Sequence, residues 1–156
     1  MKRLILASTL VGALLISGLG CEQAIRDFTA ALDGYHMVPQ VTTTATGSAK
    51  LVLNVANTEV AYSVDVVDIE NATSAFLHYA PAGVNGEVIA DFYLGPPKPG
   101  SFSGRLTDGS LRVADLKGPL AGKTMDNFIA SVRAGSTYVI VCTDSFPDGE
   151  IRGQVR

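Results

Sequence analysis

From residue 28 onward the chain alternates apolar and polar side chains with a period of two, in short runs separated by turn residues. Successive side chains of a strand point to opposite faces, so this pattern suits strands with one face in a core and not helices of 3.6-residue period. In 50–55, Leu51, Leu53 and Val55 fall on one face and Lys50, Val52 and Asn54 on the other. In 60–66, Val60, Tyr62, Val64 and Val66 share a face opposite Ala61, Ser63 and Asp65. Similar runs at 28–32, 74–79, 88–94, 101–106, 138–143 and 150–155 are rich in the β-branched and aromatic residues that strands favour. Turn residues at 56–58, 84–86, 95–97, 107–109 and 147–149 separate them. Strands this closely spaced, without helices between them, predict an all-β sandwich or barrel. One segment departs. Met125, Phe128, Ile129 and Val132 follow helical spacing, and Gly135 supplies a stop, which predicts one short helix.

Residues 1–20 have another character. Lys2 and Arg3 precede an uncharged run from Leu4 to Ile16, and Ser17-Gly18-Leu19-Gly20 leads to Cys21. The run is too short to span a bilayer, which takes about 20 apolar residues. A charged start, an apolar middle and a small-residue exit are those of a secretory signal peptide. The small residues closing on Cys21 resemble the lipobox of bacterial lipoproteins, whose Cys is acylated after cleavage and becomes the new N-terminus. Gly18 stands where that pattern usually has Leu, and Gly18 with Gly20 also suits the ordinary signal peptidase. The expected organisation is a signal peptide over 1–20, a tether over 21–27 and one β domain over 28–156. Lipid on Cys21 would hold the domain at the membrane of a bacterial cell envelope; without it the protein would be periplasmic or secreted. Cys142 is the second of two cysteines, so the chain is no disulfide scaffold. Cys142 reads as a small buried hydrophobe, with a Cys21–Cys142 bridge open if Cys21 is not acylated.

The mature segments, in this order, resemble the CHRD domain, a module named after chordin. FTAALDGYHMVPQV over 28–41 resembles its opening strand and Val-Pro-Pro-Val element. LVLNV, followed by VAYSVDVVDIENATSAFLHYAPAGVNGEV, resembles its centre, and YVIVCTDSFPDGEIRGQVR its ending. Gly149, Glu150, Arg152 and Gly153 belong to the most specific string, and a structural role is expected of them. The resemblance implies an immunoglobulin-like, Greek-key β-sandwich and no particular reaction. It also exposes departures. The family commonly has His-x-His where this chain has Phe76 and His78, another His where Cys142 stands, an acidic residue in place of Met37, and Pro in place of Gln40.

The chemistry-bearing residues are sparse. Two His at i and i+2 would lie on one strand face and clamp one metal, but Phe76 replaces the first of them. The His-x-His pattern is also similar to that of copper/zinc superoxide dismutase, which makes a metal-dependent oxidoreductase the alternative function. Only His36 and His78 are present, so the remaining metal candidates are His78 and Cys142. The competing reading of His78 is a partly buried strand His bonded to a backbone carbonyl. Glu150 and Arg152, two apart, share a face and are expected to pair or to bridge neighbouring strands. There is no paired-carboxylate spacing, phosphate loop or His beside the Thr-rich stretch 42–46. With 12 basic and 15 acidic residues, a net charge of −3 and no Trp, nucleic acid is excluded as an expected partner. The favoured expectation is a non-enzymatic binding or structural module without a cofactor, contacting an envelope ligand or a protein through loops such as 80–86 and 94–101. Three prolines stiffen the second of these, GPPKPG over 95–100.

Overall fold

The structure is a computed structural model that describes residues 26–156; the expected signal peptide 1–20, the expected lipidation residue Cys21 and residues 22–25 of the expected tether lie outside the described residues. Seven strands appear in the order β1 (Asp27–Asp33), β2 (Thr46–Leu53), β3 (Glu59–Tyr79), β4 (Glu87–Tyr93), β5 (Lys98–Arg112), β6 (Thr137–Thr143) and β7 (Ile151–Gln154). One helix, α1 (Met125–Arg133), lies between β5 and β6, after two single 3-10 turns. The domain is all-β with one short helix, as the patterning predicts.

The 21-residue β3 organises the architecture. Its first half pairs with β2 and β5, and its second half with β6 and β4. Two antiparallel layers result, β1-β2-β3-β5 and β4-β3-β6-β7, with β3 common to both. At the other side β1 meets β7 through Asp33 opposite Arg152 and reciprocal backbone bonds of Thr29 with Arg156 (2.7 and 2.9 Å). The order β1-β2-β3-β6-β7 thus returns to β1, and the sandwich closes like a barrel. β3 turns between layers where Asp68 and Asn71 take positive φ (53° and 51°) and the register with its neighbours shifts. Short polar side chains tolerate that conformation better than other non-Gly residues.

The alternating residues meet inside. Phe28, Leu32, Leu51, Leu53, Val64, Val66, Ile69, Leu77, Ile89, Val139, Val141 and Ile151 form one buried core. α1 adds Met125, Phe128, Ile129 and Val132, the four residues at helical spacing. Thr124 caps its first turn by accepting from the Asn127 amide, and Gly135 (φ 66°) follows its end. β6 is buried on both faces. Its second face, with Tyr138, Ile140 and Cys142, carries a separate cluster that includes Met37 and Ala80 and is flanked by Val41 and Phe76.

Three expectations need correction. Val55 does not join Leu51 and Leu53 inside but is 86% exposed. The strand stops at Leu53, because Asn54 Oδ1 accepts from the Thr58 and Glu59 amides and begins the turn. The expected turn at 107–109 lies inside β5, where Gly109 stands opposite Tyr62. A Cβ there would come within 2.7 Å of Tyr62 Oη, so this glycine serves close approach to a ring and not chain reversal. The expected GPPKPG loop is shorter than its motif, since Lys98 already begins β5.

Candidate functional site

The second face of the β4-β3-β6-β7 layer carries the polar cluster that distinguishes this domain, and Arg152 is its centre. β7 directs Arg152 away from the main core, toward the turn that joins β3 to β4. The residue is only 1% exposed. Its Nη1 donates to Asn85 Oδ1 (3.1 Å), and its Nη2 donates to the carbonyls of Val84 (2.8 Å) and Pro81 (3.4 Å). The guanidinium carbon lies 3.5 Å from the centroid of the Tyr138 ring, a cation–π contact in a desolvated place. No carboxylate pairs with Arg152 among the described residues. Burial pulls its pKa down from the ordinary arginine value. A buried cation held by neutral acceptors depends on every one of them staying in place.

The acceptors are fixed by a second set of bonds. Asn85 Nδ2 donates to the Val38 carbonyl (2.7 Å), which ties the 81–86 turn to the 34–45 loop. The Gly86 amide donates to Tyr138 Oη (2.8 Å). Gln154 Nε2, two residues beyond Arg152 on the same face, donates to the carbonyls of Gly135 (2.6 Å) and Ala80 (2.9 Å). Two loops far apart in sequence are therefore locked over β6 and β7 at one end of the domain.

His78 belongs to this cluster. Its ring stacks on Tyr138 (4.9 Å between centroids, 15° between planes), and its Nδ1 is 2.9 Å from the Gly86 carbonyl. The carbonyl can only accept, so Nδ1 carries the hydrogen and Nε2 keeps the lone pair. Burial lowers the His78 pKa, outweighing the Gly86 bond, and the charges of Arg152 and Lys117 lower it further. The imidazole is held as a neutral strand His bonded to a backbone carbonyl.

Other candidates lie elsewhere. Cys142 shares the face of His78, but His78 stands opposite Tyr138 and Cys142 opposite Ser74. Four residues of strand, about 13 Å, separate the two positions. As a shared metal site the pair is therefore corrected: the register keeps one ion from reaching both. Cys142 is buried and has no disulfide partner among the described residues, with the alternative Cys21 bridge lying outside them, and burial raises its thiol pKa. His36 sits in the 34–45 loop, with its Nδ1 2.6 Å from Asp33 Oδ1. No group of three His, Cys, Asp or Glu side chains placed to hold a metal occurs among the described residues.

Glu150 and Arg152 do not pair with each other. Glu150 instead accepts from the hydroxyls of Thr43 (2.6 Å) and Thr143 (2.7 Å), joining the 34–45 loop to β6. Gly149 has φ 123°, and a Cβ on it would lie 2.6 Å from Ile140 Cγ2 and 2.7 Å from Met37 Cε. Gly153 lets β7 close on β1, since a Cβ there would lie 2.0 Å from the Ala31 carbonyl oxygen. Sequence reasoning missed Asn85, Tyr138 and Gln154 as partners of this face. Asn85 carried a signal in its Asn-Gly turn, but nothing in the sequence ties it to an arginine 67 positions away.

A family model for the CHRD domain matches residues 28–155. The comparisons find no match among curated proteins or solved structures.

Proposed function

The chain belongs to the CHRD domain family, and on that premise we propose that it is a non-enzymatic binding module of the bacterial cell envelope, held at the membrane by lipid on Cys21. The family is not known as enzymatic. The observation that carries the reading is the Arg152 lock, which holds the 34–45 and 81–86 loops in one arrangement before any ligand arrives. Loops fixed in advance lose little conformational entropy on binding. Both present apolar side chains outward, with Tyr35 71% and Val84 49% exposed. Such residues are weak individually but supply contact area when they share one end of a rigid scaffold. The short signal-like start and Cys21 support delivery to the envelope.

The test is binding of the purified mature chain, fluorescently labelled, to isolated bacterial envelopes. The expected result is saturable binding, competed by unlabelled protein and weakened by Tyr35→Ala with Val84→Ser. Binding that does not saturate, or that ignores the double substitution, refutes the reading.

A further inference from the structure

β4 and β5 are the two strands that pair with one neighbour only, β3. The outer edge of β4 is covered by the segment that follows β5, where the Lys117 amide donates to the Ile89 carbonyl (2.9 Å). Among the described residues no strand covers the outer edge of β5, which is 15 residues long. Backbone donors and acceptors along such an edge are a template for another strand. The Arg112 amide donates to Asp115 Oδ2 (2.8 Å) and not to β3, so Arg112 presents its backbone outward, and alternation gives Ser110 and Asp108 the same orientation. The register then slips by one residue, since Val64 faces Thr107 and Asp65 faces Arg105. Leu106 is the extra residue of a bulge, and the alternation restarts beyond it with Arg105 outward. Leu106 and Leu111 are both buried although five apart, which an unbroken alternation forbids.

We propose that β5 pairs antiparallel with β5 of a second copy of this chain, about a twofold axis between Leu106 and Thr107. An unbulged strand turned on itself about such a point sets outward residues against inward ones. The bulge at the axis reverses the alternation, so outward residues meet outward ones on both sides of it. Arg105 then stands opposite Asp108 of the second copy, twice by symmetry, and Ser103 stands opposite Ser110. Both charged groups are available. Arg105 donates to Asp65 through Nε (2.7 Å), and its Nη1 lies 3.9 Å from Asp108 of its own chain, beyond hydrogen-bond distance. The Asp108 side chain is 69% exposed, with no closer ionic partner among the described residues. Bulges and charges ordinarily protect an edge from pairing. Here the bulge coincides with the axis and the charges across it are opposite in sign, so both favour this register and oppose others. The seam contains no residue of the 34–45 or 81–86 loops, so this interface goes beyond the binding-module reading and does not depend on it.

The experiment is sedimentation equilibrium of the purified mature chain under reducing conditions, over roughly 10–500 µM. Wild type is expected to pass from monomer to dimer as concentration rises. Asp108→Lys sets positive charges against each other at both ends of the seam, and Arg105→Glu sets negative ones. Each should weaken dimerisation at least about fivefold, because two attractive cross-strand pairs become repulsive. An equimolar mixture of the two variants restores opposite charges at both places and should dimerise within about threefold of wild type. Ser110→Pro is the further variant should Arg105→Glu fail to fold beside Asp65. It removes an outward N–H without taking a bond from β3, and the same weakening is expected. Wild type that stays monomeric throughout, a dimer indifferent to these substitutions, or a mixture no more associated than its two components would overturn the proposal.

Discussion

Replacing Arg152 by Lys keeps the charge and removes the fork. Arg152 makes three hydrogen bonds from two terminal nitrogens and stacks its plane on Tyr138. A lysine ammonium is one point donor that can serve part of this set, and it has no plane to stack. At least one charge-assisted bond is lost, worth about 1.5–3 kcal/mol, and a buried cation–π contact worth up to about 2 kcal/mol is weakened. Relaxation of the 81–86 turn recovers some of that, so the expected destabilisation is about 2–4 kcal/mol. For a domain of this size each kcal/mol moves Tm by about 3–5 °C, so the shift should be roughly 10 °C. Urea unfolding followed by circular dichroism would report it as a lower midpoint at unchanged slope. Arg105→Lys is the internal control. Arg105 meets Asp65 at 2.7 Å across an exposed strand pair, and its replacement should leave the urea midpoint essentially unchanged. If Arg152→Lys falls within about 0.5 kcal/mol of wild type, the lock is not a stabilising feature and the argument from rigid loops fails with it.

Gly149→Val should destabilise by about 2–4 kcal/mol, because φ 123° strains any Cβ and the added atom overlaps Ile140 and Met37; an unchanged urea midpoint would refute this. His78 has its folded pKa below the ordinary 6.5, so the unfolded chain takes up the proton first. Its contribution to stability is therefore complete above pH 6.5 and is lost as pH falls through the lowered folded value. His78→Gln should flatten the acid limb of a stability–pH profile, and an equal fall in both proteins would exclude His78 as the cause. Cys21→Ser should abolish fatty-acid labelling and release the chain from bacterial membranes; wild type that is soluble and unlabelled would refute the lipid anchor.

Elements whose stabilisation is local, or comes from one covered face, were legible in the sequence. Leu51 and Leu53 face the core as their alternation requires, and α1 buries the four residues its spacing selects. Where tertiary pairing outweighs local preference, sequence reading fails. Asp68 and Asn71 look like loop residues, yet β3 runs through them because partners on both sides satisfy its backbone. Asp108-Gly109 looks like a turn, yet the long β3 arm draws it into β5. The same limit applies to the site. Shared facing of Glu150 and Arg152 was readable from their spacing, but each finds partners on β6 and in a loop that closure of the sheet brings over it, Glu150 with Thr143 and Thr43, Arg152 with Tyr138 and the 81–86 turn.

Three of the four departures from the family pattern have a common location; the fourth, Gln40, is exposed in the 34–45 loop. Met37, Phe76 and Cys142 replace an acidic residue and two imidazoles that the resemblance implies at those places, and all three pack in the cluster on the second face of β6. Phe76 stands opposite Ile140 in the register, Cys142 is two residues along the same strand, and Met37 reaches in from the 34–45 loop. Restoring one polar group alone would bury it among apolar neighbours without a partner, so the three apolar residues are consistent only together. The polar functions of the face then concentrate toward its other end, where His78, Tyr138 and Arg152 meet the 81–86 turn. An apolar cluster at one end and a locked cation at the other hold the same loop, from Met37 to Val38, against β6. That division fixes the 34–45 loop in one arrangement over β6, which is the preorganisation that the binding-module reading requires.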